Sequence, residues 1–247
     1  MQKSIALKCD LPVSLKSFDK SGVAVVFGAT GGIGSALVNR LIELNHFKKV
    51  IGFSRNSAIR MDLSDESSIK SAAEYTSTQG KPHLIFDATG YLHDSAQMPE
   101  KSWRDINFNG LSKSLVVNAI GPALLMKHFL PQLPRQGKSV FATLSARVGS
   151  IGDNYLGGWY GYRASKAALN QLVKTASIEL SRRAPNAICI ALHPGTVKTS
   201  LSAPFSKHGT EVHSTGVSAL NLVRVVENLD YKKTGGFFDW RGIPIEW

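Results

Sequence analysis

The apolar run Val23-Ala24-Val25-Val26-Phe27 leads into Gly28-Ala29-Thr30-Gly31-Gly32-Ile33-Gly34, and the helical pattern Ile33–Leu44 follows at once. This reads as a strand that turns on glycines straight into a helix. Such a turn lets backbone N–H groups approach a phosphate, while the helix N-terminus favours its negative charge. The glycine spacing is G-x-x-x-G-x-G, with Gly28, Gly32 and Gly34 in register. A tight turn needs glycines for its own sake, so the motif takes its weight from its place between the first strand and the first helix. It is read as a nucleotide-binding turn.

Beyond it the chain keeps alternating. Apolar, β-branched runs at Lys49–Phe53, Leu84–Asp87, Ser139–Leu144, Ala187–Leu192 and Phe237–Trp240 are separated by helical patterns at Glu66–Thr78, Leu111–Leu133, Tyr162–Arg182 and Val217–Leu229. Near-continuous apolar strands between amphipathic helices need cover on both faces, which is the pattern of a parallel sheet. The expected fold class is α/β: a single-domain Rossmann fold, a doubly wound parallel sheet of about seven strands with helices on both faces. No Pro/Gly/Ser-rich linker divides the 247 residues, a length that one α/β domain fills. The expected organisation is an N-terminal arm over residues 1–21 and a single nucleotide-binding domain over 22–247.

Composition narrows the classes. The longest apolar runs are broken by Gly, Asn or Lys and fall short of a membrane span. The first twenty residues lack the apolar stretch of a signal peptide. Cys9 and Cys189 are too few for a disulfide framework, and neither has the company of a metal site. A cytoplasmic, reduced protein without a metal is expected. The formal charge of +11 is scattered, with no basic–aromatic alternation of the kind that binds nucleic acid. It describes a solvated positive surface, with some attraction for an anionic ligand. Neither a nucleic-acid nor a membrane partner is expected.

Three later motifs fall at strand ends or on a helix. The second strand runs into Ser54-Arg55 with no acidic residue. An acid at this position accepts from a ribose 2′-hydroxyl, whereas an Arg accommodates a 2′-phosphate, so NADP(H) is favoured over NAD(H). Asp62-Leu63 follows, where a third strand is expected to end near the adenine. Asp87-Ala88-Thr89-Gly90 closes the next apolar run and stands where a wall of the cofactor site belongs. Finally, Tyr162 and Lys166 are four residues apart on a helical pattern and so share a face. By themselves they could be a surface pair. As a site, the ammonium would lower the phenol pKa from its usual ~10 and suit the Tyr for proton transfer.

Taken together, Gly28-x-x-x-Gly32-x-Gly34, Asp87-Ala88-Thr89-Gly90, Asn118, Ser145, Tyr162-x-x-x-Lys166 and Pro194-Gly195-Thr196-Val197 resemble the short-chain dehydrogenases/reductases in order and spacing, over roughly residues 22–247. The stretches LSARVGSIGDNYLGGWYGYRASKAALN and LHPGTVKTSLSAPF look like the C-factor and sniffer-type carbonyl reductase subgroup. The resemblance implies that Tyr162 is the general acid in carbonyl reduction and also touches the cofactor, that Lys166 holds the nicotinamide ribose, that Ser145 hydrogen-bonds the substrate oxygen, and that Asn118 holds a water linking Lys166 to solvent. Thr30, Ile33, Ser54, Arg55, Asp62, Leu63, Ala88, Thr89 and Gly90 would line the cofactor with the glycine turn. Pro194, Gly195 and Val197 would border the nicotinamide, and Thr199 would reach the phosphates. Tyr155, Trp159, Phe205 and His208 are candidate substrate residues, and His193 is read as packing beside the cofactor turn.

The chain departs from the family at three places. Phe27 precedes the first glycine where Thr is usual. Asp87 stands where the family has Asn. Ser145 and Tyr162 are 17 residues apart, which makes Ser150 a rival for the catalytic serine; Ser145 is preferred because it ends a strand. Relatives commonly pair through the helices corresponding to Leu111–Leu133 and Tyr162–Arg182, which implies a homodimer or homotetramer. The expected function is NADPH-dependent reduction of an aldehyde, ketone or quinone. The alternative is a C-factor-like signalling protein that binds NAD(P) as a sensor ligand.

Overall fold

The computed structural model describes residues 13–205 and 212–247, so Cys9 and His208 lie outside the described residues. Among the described residues, six strands form one parallel sheet: β1 (Val23–Phe27), β2 (Lys49–Phe53), β3 (Pro82–Asp87), β4 (Ser139–Leu144), β5 (Ala187–His193) and β8 (Phe237–Asp239). Their order across the sheet is β2-β1-β3-β4-β5-β8. A short pair, β6 (Thr196–Val197) and β7 (Val212–His213), lies outside it.

The helices are α1 (Gly32–Leu44), α2 (Glu66–Gln79), α3 (Phe108–Leu115), α4 (Gly121–Phe129), α5 (Tyr160–Arg183) and α6 (Thr215–Asn228). Side chains alternate across a strand, and β1 shows what this does here. Val23, Val25 and Phe27 point into a core shared with Ile69 of α2, Leu125 and Phe129 of α4, and Leu169 and Val173 of α5. Ala24 and Val26 point into the opposite core with Leu37 and Leu41 of α1 and Leu222 and Val226 of α6. The result is a doubly wound α/β fold in three layers. Leu15 and Phe18, within the expected arm, are buried in the second core.

The main sheet has six strands rather than about seven. No strand ends at Asp62-Leu63, because residues 54–61 fold back on themselves. The Ser54 carbonyl accepts from the Met61 N–H at 3.0 Å and from the Ser57 hydroxyl at 2.8 Å. The single helix expected over Leu111–Leu133 is also interrupted. Between α3 and α4 the chain widens into a π-helical turn, Val116–Ile120. Such turns often accompany functional sites, and this one carries Asn118.

Candidate active site

The strand order reverses between β1 and β3, and in open α/β sheets ligands bind at this switch point, beyond the carboxyl ends of the strands. A cleft of about 530 Å³ lies there. Gly28 and Thr30 line it from the turn after β1, Ser54 and Arg55 from the end of β2, and Ala88, Thr89 and Gly90 from the end of β3, with Asp62 and Leu63 also in the wall and Tyr91, Asp94 and Lys113 beside them. These sequence-predicted positions therefore share one cleft. A larger cavity, about 760 Å³, opens at the opposite, amino edge of the sheet beside Gly22 and Pro82, away from these motifs.

The glycines are demanded by close packing. Gly28 has φ +72°, and a Cβ on it would stand 2.9 Å from the Ala88 carbonyl oxygen. A Cβ on Gly34 would stand 2.1 Å from the Gly28 oxygen. A Cβ on Gly32 would come within 2.9 Å of the Thr199 methyl, so Thr199 lies against the glycine turn. The N-cap of α1 is Gly31, which leaves the first helical amides without a side-chain acceptor. Free amides on a glycine turn are the donor set that a pyrophosphate needs. Arg55 is exposed at the cleft. Asp62 is held below the usual carboxylate range by the Ser64 hydroxyl and amide, with smaller pulls from Arg55 and Arg60.

The remaining sequence-predicted residues lie farther along the same edge. Lys166 is buried, and its ammonium donates to the Leu144 carbonyl at 2.8 Å. That bond ties α5 to the end of β4, where the next residue is Ser145. The Ser145 hydroxyl donates to Asn170 Oδ1 at 2.7 Å. Ser150 is engaged differently: its hydroxyl accepts from the Asp153 N–H at 3.1 Å and closes a loop turn. Asn118 bridges two segments. Its amide bonds both the N–H and the carbonyl of Tyr91 at 2.8 Å and donates to Ser165 Oγ at 3.0 Å. Ser165 in turn donates to the Tyr162 carbonyl at 2.9 Å.

Burial sets the charges. It pushes the Tyr162 phenol up to about 12 and pulls Lys166 down to about 8, against an opposing pull from Asp87. The expected lowering of the Tyr162 pKa by Lys166 is not what this arrangement gives. The ammonium stands 5.9 Å from the Tyr ring centre and is bound to the Leu144 carbonyl, so desolvation governs the phenol. Asp87 is buried and raised by desolvation, offset by hydrogen bonds from Thr89 Oγ1 at 2.5 Å and Thr143 Oγ1 at 2.7 Å. A buried carboxyl group needs such partners.

Aromatic rings crowd beside Tyr162. Trp159 meets it edge-on at 6.1 Å, Phe205 meets Trp159 at 5.1 Å, and His93 meets Phe205 at 5.3 Å. Trp159 has φ +53°, a left-handed conformation that costs a non-glycine residue about 1–2 kcal/mol. Tyr155 is 87 % exposed and makes no ring contact among the described residues. His193 is neutral, its imidazole pulled down to about 4 by burial. It follows Leu192 of β5 and precedes the turn Pro194-Gly195, where Gly195 packs against His213 and Trp240. Val197 is buried in β6.

Sequence reasoning missed His93, Glu100 and Asn170. Asn170 lies four residues past Lys166, and this helical spacing was its available signal. Nothing local marks the other two.

One model of the short-chain dehydrogenase/reductase family, described as enoyl-(acyl carrier protein) reductase, matches residues 16–237. The chain belongs to the short-chain dehydrogenase/reductase family. As a short-chain dehydrogenase/reductase it is an NAD(P)-dependent oxidoreductase that binds a nicotinamide cofactor and acts on a small molecule. It is 32 % identical over 143 residues to C-signal of Myxococcus xanthus, covering 58 % of this chain and 82 % of that one. It is 27 % identical over 192 residues to 1-hydroxy-2-glutathionyl-2-methyl-3-butene dehydrogenase of Rhodococcus sp. strain AD45, covering 76 % and 78 %. The solved NADPH-bound carbonyl reductase from chicken fatty liver has a TM-score of 0.81 at 24 % identity, over 94 % of this chain and 96 % of that one. Carbonyl reductase Sniffer of D. melanogaster has a TM-score of 0.78 at 23 % identity, over 92 % and 99 %. At these identities the two structures establish the fold. No helix of the described residues is long and apolar enough to cross a membrane.

Proposed function

We propose that this short-chain dehydrogenase/reductase reduces the carbonyl group of a small aldehyde, ketone or quinone with NADPH, and that Tyr162 donates the proton. The observation that carries the reading is the convergence of Ser145, Tyr162 and Lys166 around the end of β4, beside the switch-point cleft. The bound cofactor supplies the hydride. The glycine turn and Thr199 would hold its phosphates, Ser54 and Arg55 its ribose 2′-phosphate, and Asp62 and Leu63 its adenine. Ala88, Thr89 and Gly90 would wall the site. Lys166 would take the nicotinamide ribose hydroxyls, with Pro194, Gly195 and Val197 along the nicotinamide and Ile33 beside the turn.

The chemistry assigned to the chain follows from burial. A phenol pushed up to about 12 is fully protonated at neutral pH, which is the form an acid needs. The Ser145 hydroxyl would turn from Asn170 to the substrate oxygen and stabilise charge developing there. Trp159 and Phe205 would flank the substrate, with Tyr155 on the neighbouring loop. Ser145→Ala therefore costs far more kcat than Ser150→Ala, which breaks only a loop turn. Steady-state rates of the two variants test this, and the reverse ranking reassigns the serine.

Arg55 carries the cofactor preference. Arg55→Asp should weaken NADPH by about 10-fold or more, one lost charge-assisted contact, and leave NADH nearly untouched. Fluorescence titration with both cofactors is the check; equal losses reject the 2′-phosphate assignment. An apolar groove between α4 and α5, lined by Ala123, Met126, Leu172 and Ala176, supports assembly into a homodimer or homotetramer through these helices. A cytoplasmic location accords with this chemistry.

The likeness to C-signal supports a second reading, a signalling protein that binds NADP(H) as a sensor ligand. NADPH consumption against a panel of aldehydes, ketones and quinones separates the two. Turnover that disappears in Tyr162→Phe supports the reductase. Tight NADPH binding with no turnover across the panel favours the sensor.

A further inference from the structure

The helix that carries Tyr162 and Lys166 begins without a cap of its own. Its N-cap residue is Trp159, and an indole offers only a donor. The capping position needs an acceptor for the N–H one or two residues into the helix. That acceptor comes from elsewhere in the chain. The Glu100 carboxylate, 4 % exposed, accepts from the Gly161 N–H through Oε2 at 3.1 Å. The Glu100 carbonyl accepts from the Trp159 N–H at 2.6 Å. One residue thus holds both the left-handed Trp159 and the first turn of α5.

We propose that Glu100 is a positioning residue for the proton donor, capping the catalytic helix from the β3–α3 connection; this rests on the reading of Tyr162 as that donor. Three further features fit. A Cβ on Gly161 would stand 3.0 Å from Glu100 Oε1 and 3.1 Å from Ser114 Oγ, so residue 161 is a glycine where the carboxylate must come close. The Glu100 platform is itself fixed: Asp105 Oδ2 accepts from the N–H groups of Lys101 at 3.1 Å and Ser102 at 3.0 Å. On the other side, Ser165, held by Asn118, grips the Tyr162 carbonyl. Tyr162 therefore sits between two anchors, one on the N–H before it and one on its own carbonyl. A carboxylate is also the charge that a helix N-terminus favours.

The same contact reaches the substrate side. Trp159 touches Tyr162 and Phe205, so its orientation and that of the proton donor are set together. Loss of the cap shifts both relative to Ser145, which stays with β4.

The test compares Glu100→Ala with Glu100→Gln in the full chain. The Gln side chain keeps one acceptor oxygen, while it loses the charge and exchanges the second oxygen for an NH2 group. Glu100→Ala should lower kcat about 100-fold, the scale of a misplaced catalytic group, with little change in KM for NADPH. Glu100→Gln should restore most of the rate. Equal losses in both variants, or unchanged kcat in Glu100→Ala, overturn the proposal. Amide hydrogen exchange across residues 159–163 reads the cap without turnover. Faster exchange at Gly161 in Glu100→Ala, with wild-type protection in Glu100→Gln, supports it; unchanged exchange in Glu100→Ala overturns it. If Glu100→Ala does not fold, Glu100→Gln alone decides, because lost protection at Gly161 in that variant also overturns it. If wild type turns over no carbonyl, the reductase reading fails while the exchange result still judges the cap.

Discussion

Tyr162→Phe should fold as the wild type does, bind NADPH with unchanged affinity and reduce carbonyl compounds about 10²- to 10⁴-fold more slowly, the span usual for general acid–base catalysis. The substitution removes one hydroxyl. The ring remains and keeps its edge-on contact with Trp159 at 6.1 Å. The anchors on either side of Tyr162 are backbone groups, the Gly161 N–H and the Tyr162 carbonyl, and Phe supplies both. Tyr162 does not line the cleft after β1, β2 and β3, and with Lys166 and the glycine turn intact NADPH affinity should stay near wild type. What disappears is a half-buried phenol whose desolvation pushes its pKa up to about 12. Loss of NADPH affinity as large as the loss of rate would mean that the Tyr162 hydroxyl chiefly holds the cofactor. Unchanged rate would assign the proton to another group.

The pairing of Tyr162 with Lys166 was legible because four residues bring side chains to one helical face. Their electrostatics were not. The ammonium's distance from the ring depends on its bond to the Leu144 carbonyl, and that bond depends on how α5 packs against β4. Glu100 was illegible for a related reason. It lies 61 residues from the helix it caps, and a lone acid in a loop carries no local signal of a distant partner. The Trp at the N-cap was the available clue, since a helix that starts without Ser, Thr, Asp or Asn needs an acceptor from elsewhere.

The fold was legible strand by strand wherever apolar runs were continuous. Val23–Phe27, Lys49–Phe53 and Ser139–Leu144 begin and end where the sequence patterns do. Misreadings came where polar contacts override periodicity. The run from Leu111 to Leu133 has helical spacing throughout, yet Asn118 is drawn to the backbone of Tyr91 and the helix widens to let it reach. The strand expected before Asp62-Leu63 gives way to a turn held by the Ser54 carbonyl. The Asn118 contact joins residues 27 apart and lies beyond a window of local sequence, whereas the Ser54 turn is local and its turn-forming serines were passed over.

Gly34→Ala and Gly216→Ala form a matched pair with opposite expected outcomes. Both glycines lie in the first turn of a helix, Gly34 in α1 and Gly216 in α6, and α1 and α6 share one core. A Cβ on Gly216 meets nothing within 4 Å. Alanine there should stabilise the protein by about 0.5–1 kcal/mol through lower unfolded-chain entropy and leave NADPH binding alone. On Gly34 the same methyl would lie 2.1 Å from the Gly28 oxygen and 2.7 Å from its carbonyl carbon. These are backbone atoms that cannot swing aside, so α1 must draw back from β1. Overpacking of this kind costs about 1–3 kcal/mol or more, which in a chain of this size lowers the melting temperature by several degrees. The turn itself is displaced, so NADPH affinity should fall with stability, by about 10-fold for each 1.4 kcal/mol of lost contact. Thermal melts with and without NADPH measure both quantities. Gly34→Ala that melts lower yet binds NADPH as wild type would detach the glycine turn from the cofactor and leave it a packing feature alone.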